Sequence, residues 1–325
     1  MNELTLAIDI GGTKIAAGLI DRDGHLVHTA KRPTPDPTTT ATAADPRALA
    51  ADAERVWAVV DELITEAVTV ARGMVRGVGI ASAGPIDLHA GTVSPINIAC
   101  WRGFPLRDRA AAVLPGMPVR LGGDGLCMAL GEHRAGAGRG ARFLLGMVVS
   151  TGVGGGLVLD GAPYDGRTGN AGHVGHVVVN QDGAPCSCGG RGCVETVAGG
   201  PRMAQWARDN GWGGGPEDDA KELADAAAAG DPVARRAFRR GATAVAAMIA
   251  SVAAVCDLDL VVIGGGVARS GPLLFDPVRE ALARHARLDY LTGLRVLPAE
   301  LGGDAGLVGA AALVDNPVDN PVDKS

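Results

Sequence analysis

Between His173 and Thr196 the chain reads HVGHVVVNQDGAPCSCGGRGCVET, which packs three cysteines into eight residues. His176, Cys186, Cys188 and Cys193 stand in the spacing H-x9-C-x-C-x4-C. Three thiolates and an imidazole suit tetrahedral Zn2+, and a full Cys3His set leaves no coordination position for a substrate. The spacing therefore predicts a structural zinc. A disulfide between Cys186 and Cys188, two residues apart, would be strained, and a thioredoxin-type pair would need C-x-x-C. Gly189, Gly190 and Gly192 supply the turns that so tight a knuckle requires.

Three glycine loops follow apolar runs: AIDIGGTK (7–14), STGVGGG (150–156) and VIGGGVA (262–268). In the first, Gly11 and Gly12 let the backbone approach an anion, Thr13 offers a hydroxyl and Lys14 a charge. Asp9 stands just ahead, placed to hold a hydrated Mg2+. The loop is not a Walker A motif, because its spacing differs and a strand follows it instead of a helix. Each loop alone could be a plain tight turn. Three of them after apolar strands point to a shared nucleotide. Asp124, in LGGDGLCMA, falls between a strand and a helix, where a carboxylate can take the proton of a hydroxyl attacking phosphorus. Its bland alternative is a helix N-cap.

The elements that must position these groups can be read from pattern. LTLAIDI (4–10), IAAGLI (15–20) and HLVHTAKR (25–32) form a strand meander with the turn DRDG between the last two. From Arg47 to Ala71, Val56, Val60, Leu63, Ala67 and Val70 recur at helical spacing. VRGVGIAS (75–82), the PVRL strand before Asp124, FLLGMVVS (143–150) and LDLVVIGGG (258–266) read as further strands. Residues 234–256 form a long, largely apolar helix. Residues 34–46 read as a loop, and the repeat VDNPVDNPVDKS as a disordered tail over 315–325. The organisation is α/β in two related lobes facing a cleft.

Composition narrows the function classes. The 325 residues are 47% hydrophobic, enough for a substantial core, but only 3% aromatic, with 49 glycines; small and β-branched side chains must fill the interior. The net charge of −6 is spread without a basic run, which argues against nucleic acid or an anionic membrane as partner. No basic leader and no run of eighteen apolar residues are present, so the expectation is a cytoplasmic chain without a membrane span. Cys100, Cys127 and Cys256 stand in apolar surroundings and read as core thiols. Trp101 fits either a substrate mouth or a packed indole.

With these pieces in view, the chain resembles the ROK family (repressors, open reading frames, kinases) of the actin-like, ribonuclease H-like ATPase fold. The resemblance rests on AIDIGGTKIAAGLID, GIASAGPID, the GGDG region, STGVGGGLVLDG, the cysteine segment with CxCGxxGCxE intact, VIGGGVA and GDAGLVGAAAL, which together span residues 4 to 313. It implies a two-lobed fold, with residues 1–120 and 121–303 as the lobes, a helix near 304–314 returning to the first, a zinc knuckle in the second, and a homodimer. It further implies ATP and Mg2+ at Asp9, Gly11, Gly12, Thr13, Lys14, Thr151 and Gly152, with Gly264, Gly265 and Gly266 along the adenosine. Asp124 matches the catalytic base. Asn97, His176 and Glu195 match positions that bind sugar hydroxyls, so His176 would give one ring nitrogen to zinc and the other to substrate.

Two positions depart from the family pattern. Its kinases usually carry Asn before the catalytic Asp, where this chain has Gly123, and Glu in E-x-G-H, where it has His173. Each lost buried hydrogen bond costs about 1–3 kcal/mol. A glucose-optimised site would not discard two, so the acceptor is expected to differ from glucose on that part of the ring. An amino sugar of the kanosamine type or a C7-cyclitol of an antibiotic-type pathway would fit. The alternative is an ordinary glucokinase in which His173 replaces the lost contacts. Leu126, where Asn is common, reads as a packing change. A sugar-responsive repressor of the same family would need a helix-turn-helix ahead of the GGTK strand, where only three residues precede it.

Overall fold

The structure is a computed structural model and describes residues 3–36 and 45–316; residues 37–44, within the expected loop, and 317–325, most of the expected tail, lie outside the described residues. The chain forms two compact units, one of residues 1–136, 162–171 and 303–325 and the other of 137–161 and 172–302.

In the first unit, β1 (Leu4–Ile10), β2 (Lys14–Ile20) and β3 (Leu26–Pro33) make the antiparallel meander. Beside β1 lie two parallel strands, β4 (Val75–Ser82) and β7 (Val119–Gly123), giving the sheet order β3-β2-β1-β4-β7. The register sets Asp9 level with Ala81, and Ala81 level with Gly122, so β1, β4 and β7 finish together at one edge. A two-stranded ladder, β5 (Ile86–Asp87) with β6 (Thr92–Val93), leads into α2 (Leu106–Val113).

Helix α1 (Pro46–Ala71) starts where the Asp45 side chain accepts the Arg47 N–H with Pro46 in the first turn, and stops at Arg72, whose φ of 49° leaves the helical region. Its buried stripe is Val56, Val60, Leu63, Ile64, Ala67 and Ala71. Val70, expected in that stripe, is 46% exposed; the drift of a 3.6-residue repeat hands its place to Ala71. Trp101 is fully buried, stacked on Phe104 at 4.2 Å, and donates its indole N–H to the Ala53 carbonyl. It is a packed indole.

Helices α3 (Asp124–Ala135) and α9 (Ala305–Asp315) cross at backbone contact. A Cβ on Gly309 would lie 1.6 Å from the Cys127 carbonyl oxygen, and one on Gly131 2.2 Å from that of Ala305. On the sheet side, a Cβ on Gly79 of β4 would lie 1.8 Å from the Ala310 carbonyl oxygen. Hence the glycine and alanine of GLVGAAAL: three layers close only without side chains between them. The same packing carries the first unit past the 120/121 boundary drawn from the sequence, because α3 belongs with α9.

The second unit repeats the plan. Strands β8 (Phe143–Val149) and β9 (Val153–Leu159) pair antiparallel, and β11 (Leu260–Gly264) and β12 (Arg295–Pro298) lie parallel to β8, in the order β9-β8-β11-β12; β10 (Ala162–Tyr164) falls in the segment 162–171 of the first unit. Around the sheet are α4 (Glu195–Ala198), α5 (Gly200–Asp209), α6 (Ala220–Ala228), α7 (Pro232–Cys256) and α8 (Pro272–His285). Helix α7 is long and apolar enough to cross a membrane by composition, but Phe238, Val245, Met248 and Ile249 bury it against Met147, Val149, Val261 and Ile263 of the core.

Candidate functional site

The β1–β2 turn is closed by Gly11, whose N–H donates to the Lys14 carbonyl at 3.0 Å. Gly12 lies against Asn97: a Cβ there would fall 2.7 Å from both Cβ and Nδ2 of that residue. Asp124 is the first residue of α3, not its cap; Gly123 holds the N-cap position, and an Asp124 carboxylate oxygen accepts the Gly125 N–H at 2.7 Å. Gly123 has φ −66° and ψ 147°, open to any residue, and a Cβ there would meet nothing within 4 Å. Its glycine is therefore a choice about the space beside Asp124 and not a demand of the backbone.

Asp9 sits in a crowded, charge-frustrated place. Burial, and next the Asp124 carboxylate, push its acid up to about 6, while Lys14 and Lys31 pull it down. Lys31 in turn pairs with Asp304 at 3.2 Å, and Gly306 approaches so closely that a Cβ on it would lie 2.7 Å from a carboxylate oxygen of Asp9. Two carboxylates that raise one another's cost of ionising suit a bound cation, and oxygen donors at a strand edge suit Mg2+. Lys31, Asp304 and Gly306 were missed from sequence as parts of this setting. The GDAG stretch was the available signal; Lys31 had none.

In the second unit the loops after β8 and β11 lie side by side, because the two strands are parallel neighbours. Ser150 donates its N–H to the Gly152 carbonyl at 2.9 Å. Gly265 has φ +100°, and a Cβ there would lie 2.4 Å from the Val149 carbonyl oxygen; a Cβ on Gly266 would lie 3.3 Å from Ser150 Oγ. Gly264, Gly265 and Gly266 thus adjoin the loop of Thr151 and Gly152. Glu195, first residue of α4, turns its carboxylate to the same loop, accepting the Val153 N–H at 2.9 Å. No side chain fits at Gly152 without moving it: a Cβ would lie 2.6 Å from Glu195 Oε2.

The knuckle brings its four residues together. One ligand atom each from His176, Cys186, Cys188 and Cys193 lies within 4.8 Å of the others. A tetrahedron with arms of about 2.3 Å has edges of about 3.8 Å. Cys188 Sγ and Cys193 Sγ are 3.8 Å apart, and Cys186 Sγ is 3.7 Å from His176 Nδ1. Gly189 and Gly192 turn with φ of +88° and +74°, and a Cβ on Gly192 would lie 1.7 Å from the Asn180 carbonyl oxygen. Burial raises the Cys186 thiol, but the Cys188 N–H and its side-chain neighbours outweigh this and leave it lowered to about 7. Burial and the two other thiols push Cys193 up to about 12. Thiols that cannot all ionise alone suit a cation that holds them as thiolates. All six cysteines are free, and Cys100, Cys127 and Cys256 stand apart from this cluster. His173 is exposed at the head of the short 3-10 turn Val174–His176.

The glycine loops at parallel strand ends and the sheet plan repeated in the two units, an antiparallel pair flanked by parallel strands, define a class, the actin-like ATPases. The ROK family pattern matches residues 5–316, and the chain belongs to that family. It is 33% identical to the glucokinase of Streptomyces coelicolor over 334 residues, covering 97% of this chain and 98% of that one. It is 38% identical to the N-acetylmannosamine kinase of Salmonella typhi over 312 residues, covering 95% and 97%. Among solved structures, a ROK glucokinase from Streptomyces griseus in complex with glucose and AMPPNP matches with TM-score 0.75 and 36% identity over 95% of this chain and 98% of that one.

Proposed function

We propose that the chain is a cytoplasmic, homodimeric ATP-dependent kinase acting on the primary hydroxyl of a glucose-like ring. The kinases named above support the reaction class. The observation that carries the chemistry is the placement of Asp124 at the head of α3, close enough to Asp9 to raise its pKa. In this reading Asp124 takes the proton of the attacking hydroxyl as its oxygen bonds to the terminal phosphorus of ATP, and the bond to the leaving ADP oxygen breaks. Asp9 would hold a hydrated Mg2+, which when bound offsets charge on the phosphates. Amides of the Gly11–Gly12 and Thr151–Gly152 loops, with Thr13 and Lys14, receive the phosphoryl oxygens. Gly264, Gly265 and Gly266 leave room for the adenosine.

Asn97, Glu195 and His176 hydrogen-bond the sugar. His176, Cys186, Cys188 and Cys193 would hold a structural Zn2+, with Nδ1 of His176 on the metal and Nε2 left for the substrate. The open space beside Gly123 favours an acceptor that differs from glucose on that part of the ring, such as an amino sugar of the kanosamine type or a C7-cyclitol, in antibiotic biosynthesis. Glucose itself is the second reading, in which the exposed His173 supplies the missing contact. A coupled ADP-release screen against glucose, mannose, N-acetylmannosamine, kanosamine and C7-cyclitols decides. A higher kcat/KM on the amino sugar or cyclitol is expected. Strong preference for glucose would overturn the altered acceptor, and no ADP release with any of them would overturn the kinase.

A further inference from the structure

Three arginines from separate parts of the first unit meet far from its carboxylates. Arg22 comes from the β2–β3 turn, Arg76 from the start of β4 and Arg134 from the last turn of α3; with Asp315, the last residue of α9, they line a pocket of about 350 Å³. Both oxygens of Asp315 are used: Arg76 holds Oδ1, and Arg134 holds Oδ2 at 2.9 Å. Arg134 also donates to the Arg22 carbonyl at 2.5 Å, while Arg22 reaches outward to Glu3. Gly24, at φ +89°, lets the turn press onto Arg134, since a Cβ there would lie 3.3 Å from its Nε.

Donors in this cluster outnumber acceptors. Two guanidinium groups share the Asp315 carboxylate, the third is paired with Glu3 at the rim, and the buried Nε of Arg76 has no acceptor among the described residues. Guanidinium forks match phosphate oxygens in pairs, and a volume near 350 Å³ is at the small end of ligand pockets. The pocket is at the opposite end of the strands from Asp9. Arg76 lies five residues before Ala81, the residue level with Asp9, which is about 16 Å along a strand. Along α3, Arg134 lies ten residues beyond Asp124, about 15 Å of helix.

We infer that this pocket is a binding site for a phosphate group, separate from the catalytic end of the unit, with Arg22, Arg76 and Arg134 as its donors. The group could arrive as inorganic phosphate or on a small phosphate ester; the chemistry of recognition is the same.

The test uses the full chain. It is titrated calorimetrically with inorganic phosphate and with glucose 6-phosphate at constant ionic strength, as wild type, Arg22→Gln and Arg76→Gln. Crystals are soaked in tungstate for anomalous diffraction. An anomalous peak among the three arginines is expected, with phosphate affinity about tenfold or more weaker in both variants. Tighter binding of the ester would assign the site to a metabolite, and equal affinity to free phosphate. Arg22 is exposed, so Arg22→Gln stays informative if Arg76→Gln fails to fold. No peak at the cluster, or affinity unchanged in Arg22→Gln, overturns the inference.

Discussion

Replacing Asp9 by Asn should make the protein more stable, and the size of the gain is set by its acid. In the folded chain that acid is pushed up to about 6, against 3.8 for an ordinary aspartate. Between those values the folded chain holds a proton that the unfolded chain has released. Stability therefore falls as pH climbs from about 4, and levels off once Asp9 is ionised in both states. The gap of 2.2 corresponds to about 3 kcal/mol of strain carried above pH 7. Asn carries no such charge. Asp9→Asn should thus gain up to about 3 kcal/mol at pH 8, and about half of that at pH 5, where the wild-type acid is already largely protonated.

For a chain of this length that is an increase in Tm of about 4 °C at pH 8. Thermal and urea unfolding in chelator at the two pH values measure it. A variant no more stable than wild type at pH 8, or a gap that does not shrink at pH 5, would refute the account of Asp9 as a carboxylate frustrated by burial and Asp124. If Asp9 serves the nucleotide-bound cation, the same substitution should cost turnover while it adds stability.

Asp124→Asn should lower kcat by about 100-fold or more with an unchanged circular dichroism spectrum; a loss of less than tenfold would remove it as the base. Gly309→Ala sets a methyl 1.6 Å from the Cys127 carbonyl oxygen, so α9 must leave α3, and urea unfolding should show a loss of about 3 kcal/mol or more. Gly152→Ala should displace the Glu195 carboxylate and raise the KM for sugar more than that for ATP, read in steady-state kinetics. Elemental analysis should find one zinc per chain, lost in Cys186→Ser, and chelation should lower the Tm.

Much of this arrangement can be read from the chain. The knuckle is written in ligand types and spacing, the loops in glycines after apolar runs, α1 in its periodicity and α7 in its long apolar run. Other features escape because their cause is distant. GLVGAAAL reads as a generic apolar helix until Cys127 and Gly79 are known to lie against its backbone. Lys31 is one exposed lysine on a strand until the pairing of β2 with β3 and the return of α9 set it near Asp9 and Asp304. Two-residue strands such as β5 and β6 carry no periodicity at all.

The same distance explains why chemistry and stability pull apart in the first unit. Its sheet, α3 and α9 close on one another through glycines, leaving no side chain to yield when a charge at the edge is changed. Helix α3 begins at Asp124 and α9 begins beside Asp9, so both enter the packed layer from the end that carries the carboxylates. Their interlocked backbones hold Asp9 and Asp124 close although the two acids repel. The glycine contacts are thus the structural condition for the acid pair. Loosening them, as at Gly309, should bring the Asp9 pKa back toward the ordinary carboxylate range at the same time as it costs stability.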